Sequence, residues 1–188
     1  MTSLTDNGII IDAMITSVDD PQLPRCVEAV GSQTIPFSHV VHNNNVCPMN
    51  RAFQLGFSQT TGDWVVSVDG DMILDKNALE RMRGIIDGST DVSGYYFGLI
   101  DTFLQCGIGY LSVFNGHLYR KQAIPDHPVW DSKLVRRLTR EGWRQVKLFH
   151  VRLGTHFDNP DEYQVFKRFY IHGFRYARYP RRSIRPTL

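Results

Sequence analysis

An α/β fold with a largely parallel sheet flanked by helices is predicted, and three observations predict it. Strand-like and helix-like segments alternate along the chain. The length, 188 residues with 42% hydrophobic and 21% charged, suits one domain with a real core. No internal repeat, low-complexity tract or run of 18 apolar residues interrupts the pattern, so disordered, fibrous and transmembrane-helical classes fall away.

The elements follow in order. Residues 8–16 (GIIIDAMIT) are apolar and β-branched, which makes a first strand. Residues 21–32 form a helix with Leu23, Val27 and Val30 on one face. A short second strand covers 39–42. Pro48 is placed as a first helical residue, and Met49, Ala52, Phe53 and Phe57 extend a stripe to about Ser58. The turn Thr61-Gly62-Asp63 leads into the clearest strand, 64–69 (WVVSVD). Asp75 is expected to cap a helix from Lys76 to about Asp87, with Leu79, Met82 and Ile86 inward. Residues 92–100 and 110–115 read as strands. Asp131 is the expected cap of a helix that runs to Glu141 and stops at Gly142. Residues 145–151 make another strand. Asn159-Pro160-Asp161-Glu162 opens a last helix carrying Tyr163, Phe166 and Tyr170, which ends near Gly173.

Charge divides the chain. Residues 1–162 hold 14 basic against 19 acidic side chains, whereas residues 163–188 hold 7 basic and no acidic ones. Arginines interleaved with Phe166, Phe169, Tyr170, Phe174, Tyr176 and Tyr179 suit a phosphate-bearing interface: a diphosphate, an anionic bilayer or a single strand. The alternative is a tail whose aromatics pack and whose arginines are only solvated. Residues 1–7 are polar and lack a secretory h-region. Cys26, Cys47 and Cys106 are widely spaced and odd in number, as expected of free thiols in a reducing cytoplasm.

Asp69-Gly70-Asp71 is the strongest chemical signal. Residues i and i+2 of an extended chain point to the same side, so both carboxylates can meet one hard cation. Mg2+ or Mn2+ favours a few carboxylate oxygens plus substrate phosphates. Gly70 leaves room for a ligand, and ligands in open α/β sheets bind beyond the carboxyl ends of strands. A solvated turn is the bland reading of the same residues. No GxSxG, GxxxxGK[ST], HExxH or post-strand GxGxxG motif occurs.

Several short motifs occur in order: Gln33-Thr34 at the end of the first helix, Asn50 opening the second, and Gly62-Asp63-Trp64 leading to Asp69-Gly70-Asp71. Gly116-x-x-Tyr119-Arg120-Lys121-x-Ala123 follows, then Asp131-x-x-Leu134-x-x-Arg137-Leu138 and Gly142, and His156. On these, residues 9–156 resemble the inverting GT-A glycosyltransferases of the family 2 type. The first strand departs from the family by ending in Ile15-Thr16-Ser17-Val18-Asp19, and Asn43-Asn44-Asn45 replaces an acidic pair.

The resemblance implies a Rossmann-like, mostly parallel mixed sheet in a single GT-A domain over residues 1–162, followed by a basic aromatic tail over 163–188. It implies transfer from a nucleoside-diphosphate sugar to a hydroxyl on a glycan or lipid-linked acceptor, with inversion. The implied donor contacts are Thr16, Asp19, Asn44, Asn50, Asp69 and Gly70. Mn2+ or Mg2+ is implied at Asp69, Asp71 and His156, with His150 as the rival imidazole. Asp131 is the implied base, since an acceptor hydroxyl needs a carboxylate to take its proton; a plain helix cap is its other reading. The tail is expected to reach an anionic membrane from the cytoplasmic side, and no nucleic acid is expected. A retaining transferase, a nucleotidyltransferase and a non-catalytic binding module stay open as alternatives.

Overall fold

Apolar runs with period two build the sheet, and amphipathic helices cover both of its faces. The computed structural model describes residues 8–103, 106–127 and 130–157. Its elements are β1 (Ile11–Ser17), α1 (Leu23–Gly31), β2 (Val40–Asn44), α2 (Met49–Gln59), β3 (Trp64–Asp69), β4 (Met72–Leu74), α3 (Ala78–Arg83), β5 (Val92–Asp101), β6 (Cys106–Asn115), α4 (Gly116–Tyr119), α5 (Trp130–Arg140) and β7 (Arg144–His156). The strands form one sheet in the order β2-β1-β3-β6-β5-β7-β4.

The sheet is mixed, not mostly parallel. β1 runs parallel to β2 and β3, and β5 parallel to β7. β6 is antiparallel to both β3 and β5, and β4 to β7. The chain reverses through a hairpin between β5 and β6, so β6 enters against β3, which no local periodicity signals.

Alternation sorts the core into two layers. Ile11, Ala13, Ile15, Trp64, Val66, Val68, Leu111 and Val113 face α1 and α3, where Cys26, Val30, Leu79 and Met82 meet them. Met14, Val65 and Phe114 face the opposite way, onto Phe53 and Phe57 of α2, Tyr119 of α4 and Trp130, Leu134 and Leu138 of α5. Aromatic rings cement this second layer: Phe53 and Trp130 lie 4.4 Å apart, and Phe114 and Tyr119 4.5 Å.

Several matched motif residues turn out to be structural ties. Gln33 donates to the Asp75 carbonyl (2.9 Å) and accepts from the Leu79 amide (3.0 Å), pinning α1 to α3. Arg120 donates to the Gly62 carbonyl (3.0 Å), and Asn115 accepts from the Leu118 amide (3.0 Å) as the cap of α4. A Cβ at Gly116 would sit 2.3 Å from the Gly62 carbonyl, so only glycine fits there. Gly142 ends α5 with φ +95.

Four element expectations need correction. Asp75 does not cap α3, whose N-cap is Asn77, without a side-chain bond; Asp75 instead pairs with Arg81 at 3.5 Å. β4 stands where no strand was expected, held by β7 from far along the chain. α5 starts at Trp130, so Asp131 lies inside the first turn and not at the cap. His156 ends β7 and is not in a loop. The helix expected from Pro160 and the basic tail lie outside the described residues. Among the described residues no helix is long and apolar enough to cross a membrane.

Candidate active site

The site is built on the carboxyl ends of the parallel strands. Parallel register sets Asn43 of β2 beside Thr16 of β1, and Thr16 beside Asp69 of β3. All three belong to the face that α2 and α5 cover, by alternation from Met14 and Val65. The Thr16 hydroxyl donates to Asp69 Oδ1 (3.1 Å), and the Gly70 amide donates to the Thr16 carbonyl (2.9 Å). A Cβ at Gly70 would stand 2.6 Å from Ser17 Oγ. The turn from Asp69 to Asp71 is therefore pressed against the end of β1, and glycine permits it.

Asp69 reaches the surface, yet protein crowds it closely. Desolvation there, then repulsion from Asp71, lifts its carboxyl to about 6, with the Thr16 hydrogen bond opposing. Beneath it, burial and then the Asp69 and Asp71 charges push the Cys26 thiol up to about 12. Cys26 is thus a protonated, packed thiol and not a nucleophile.

Asp71 turns toward β7. His156 Nε2 lies 3.2 Å from Asp71 Oδ2, and His156 Nδ1 lies 2.9 Å from Asp101 Oδ2. Asp101 is fully buried at the end of β5, opposite His156 in register. Burial alone would keep this imidazole neutral, but Asp71 and Asp101 outweigh it and raise His156 to about 9. The Phe157 amide donates to the Asp71 carbonyl (2.7 Å), and the Arg25 guanidinium lies 4.5 Å from the centre of the Phe157 ring.

The donor set suits a hard divalent cation. It offers carboxylate oxygens and one imidazole, and Asp71 Oδ1 is buried with no hydrogen-bond partner. Asp101 on Nδ1 has the form of the outer-shell carboxylate that orients a metal-binding histidine. Among the described residues no three His, Cys, Asp or Glu side chains form a ready-made metal centre; Asp71 and His156 are ion-paired instead.

The remaining expected residues divide. Asp19 adopts φ 47 and is locked to Asn45, whose Oδ1 accepts from the Asp19 amide (3.0 Å) and whose Nδ2 donates to Asp19 Oδ1 (2.9 Å). Asn50 lies in the first turn of α2, its Oδ1 buried without a partner. Asn44 is not brought into the row. It pairs with Ser17, on the other face, while Asn43 occupies the row and ties its amide to the Ala52 carbonyl at 3.0 Å. Asp131 is exposed, yet close enough that, after burial, its charge helps raise the phenols of Tyr96 and Tyr119. Tyr96 lies opposite Ser112, and Ser112 opposite Ser67, two residues before Asp69. At ~4.8 Å per strand, Tyr96 stands roughly 10 Å across the same face from β3.

Asp101 is the residue that sequence reasoning missed. Its only local signal is an acid ending an otherwise apolar strand.

Residues 13–101 match the family model of glycosyl transferase family 2. No curated protein matches the chain by sequence. Solved structures resemble it in fold. The mannosyltransferase PcManGT from Pyrobaculum calidifontis, in complex with GDP-Man and Mn2+, superposes with TM-score 0.65 at 14% identity, over 92% of this chain and 65% of that one. TarS 1-349 of S. aureus gives 0.62 at 11% identity, over 79% and 60%. Glucosyl-3-phosphoglycerate synthase from Mycobacterium tuberculosis, with Mn2+, UDP and phosphoglyceric acid, gives 0.63 at 12%, over 89% and 78%. The match over residues 13–101 makes that part of the chain similar to glycosyl transferase family 2, and the solved structures share its fold. The chain spans 60% of the TarS fragment's length.

Proposed function

We propose that this chain transfers a sugar from a nucleoside-diphosphate sugar to an acceptor hydroxyl with inversion, using Mn2+ or Mg2+. The observation that carries the reading is Asp71, two residues beyond Asp69 at the end of β3, which pairs with His156 of β7 and keeps one buried carboxylate oxygen without a partner. Similar folds bind such ligands: PcManGT holds GDP-Man with Mn2+ and TarS holds UDP-GlcNAc.

Asp69, Asp71 and His156 would hold the cation, which would supply Lewis-acid neutralisation of charge on the leaving diphosphate. Thr16 fixes the Asp69 carboxylate, and Asp101 fixes the His156 ring so that Nε2 faces Asp71. Gly70 keeps the turn low enough for the diphosphate to approach. Asp19 and Asn50 receive the rest of the donor. Asp131 takes the proton of the acceptor hydroxyl as its oxygen bonds to the anomeric carbon. The bond from that carbon to the diphosphate oxygen breaks on the opposite side, which inverts the centre. Residues 1–162 form the transferase domain. Residues 163–188 form a basic tail that contacts anionic lipid at the cytoplasmic membrane face and so reaches a glycan or lipid-linked acceptor.

The test is release of nucleoside diphosphate from a panel of UDP- and GDP-sugars with Mn2+. Release that is lost in EDTA and in Asp71→Ala supports the reading. Full release in EDTA contradicts the metal assignment, and no release from any donor contradicts the transferase reading.

A further inference from the structure

We propose that Tyr110 and Phe149 form an aromatic platform that binds the ring of an acceptor sugar beside the donor site; this rests on the glycosyl-transfer reading above. Leu111 and Val113 of β6 point to the α1 side of the sheet, so Tyr110 and Ser112 point to the side of Asp69. Ser112 lies opposite Ser67 in the antiparallel pair. Tyr110, two residues further along β6 and past the end of that ladder, stands on the same face toward the end of β3 that carries Asp69.

Phe149 reaches the same place through a bulge. Leu148 pairs with Phe97 and Arg152 with Gly98, so three residues of β7 have no counterpart on β5. Gly98 makes the bulge possible, because a Cβ there would lie 2.3 Å from the Phe149 carbonyl oxygen. Gly98 also pairs with Tyr110, so the bulge folds over β5 and carries Phe149 toward the Tyr110 ring. The ring centroids meet at 4.8 Å with planes at 39°.

Both rings remain open, Tyr110 by 56% and Phe149 by 43%, and Ile100 extends the patch. A grouped apolar surface at the rim of a polar site marks a ligand contact more than chance exposure does. Its neighbours narrow the ligand. Arg152 lies beside Gly98 and Asp69 stands at the end of β3, so the patch lacks the single-sign basic field that an anionic headgroup seeks. Two half-open rings fall far short of the roughly 800 Å² per side of a stable protein interface. A sugar ring suits the place: its C–H face lies on an aromatic face, and its hydroxyls stay in the wet rim.

The experiment is saturation-transfer NMR on the full chain, with di- and trisaccharides of glucose, N-acetylglucosamine, mannose and galactose as probes. The wild type is expected to transfer saturation to ring C–H protons of at least one saccharide. The Tyr110→Ala/Phe149→Ala double variant should bind it about ten-fold more weakly, the effect of losing about 1.4 kcal/mol, while Tyr110→Phe keeps binding. Circular dichroism of each variant confirms that the fold is kept. Binding of no saccharide by the wild type, or equal binding by the double variant, overturns the proposal. A parallel titration of the wild type with UDP or GDP and Mn2+ separates the two ideas: nucleotide binding without saccharide binding sinks only the platform, and absence of both sinks the transferase reading too. Cosedimentation with phosphatidylcholine–phosphatidylglycerol vesicles that disappears in the double variant would assign the rings to a membrane and overturn the sugar site.

Discussion

At His156 two carboxylates hold one imidazole, Asp71 at Nε2 and Asp101 at Nδ1, and together they set both stability and metal binding. The folded ring titrates near 9 against an unfolded value of 6.5. A raised histidine contributes stability in full below about 6.5, and that contribution is lost as pH climbs through about 9. Asp69, raised to about 6, acts in the same sense at lower pH, losing its contribution between about 3.8 and 6. The metal-free protein is therefore expected to melt at lower temperature as pH rises from 6.5 to 9, and His156→Gln should flatten that slope; a wild-type slope of the opposite sign would refute the pairing. Metal binding should move the other way, strengthening with pH as His156 gives up its proton. Asp101→Ala removes the acceptor that orients the ring and should weaken Mn2+ affinity by about 10–100-fold, measured by calorimetry. The Asp69-Gly70-Asp71 pair was legible because it is local, two carboxylates at the end of one apolar strand. Asp101 was not, because its meaning comes from His156, 55 residues away.

At the scale of elements, β4 decides where Asp71 points. It is only three residues long and pairs antiparallel with residues 154–156 of β7. Gly154 makes that approach possible, since a Cβ there would stand 2.4 Å from the Ile73 carbonyl oxygen. Gly154→Ala is expected to cost about 1–3 kcal/mol in chemical unfolding, as overpacking does, and to part Asp71 from His156, so that metal affinity falls with it. Unchanged stability and metal affinity would mean that β4 is not needed to hold the pair. Helix α5 carries the other catalytic proposal. Asp131→Asn keeps shape and charge-free polarity in the first turn, and turnover should fall by roughly 10²–10⁴ with donor binding retained. Near-normal turnover would make Asp131 merely a first-turn acid that suits the helix dipole. β1 and β3 were readable as continuous apolar runs, buried on both faces, and α1, α2 and α3 by apolar stripes of helical period. β4 carries too few residues to show a period. The reversal of β6 and the loss of the expected Asp75 cap depend on partners distant in sequence.

For the whole molecule, the domain follows from the sequence better than its sheet does. An α/β core with a DxD at a strand end was legible, but half of the strand pairings are antiparallel, set by the β5–β6 hairpin and by β7 returning beside β5. The acidic body and basic end make a separate prediction. Truncation after Gly173 should abolish cosedimentation with anionic liposomes at low salt, and the intact chain should release them as salt rises, because exposed charges are screened beyond roughly 8 Å at physiological ionic strength. An intact chain that ignores such liposomes contradicts the membrane role. The central claim, that the Asp69–Asp71–His156 edge holds a nucleoside diphosphate through a divalent cation, is tested most directly by thermal shift with UDP and GDP, each with Mn2+ and with EDTA. At a hundred-fold excess over Kd, binding to the native state alone adds about 2.7 kcal/mol, which raises Tm by roughly 5–10 °C for a chain of this size. The account predicts that shift with Mn2+ for one nucleotide, and its loss in EDTA and in Asp71→Ala. A shift of the same size in EDTA, or none with either nucleotide, would contradict it.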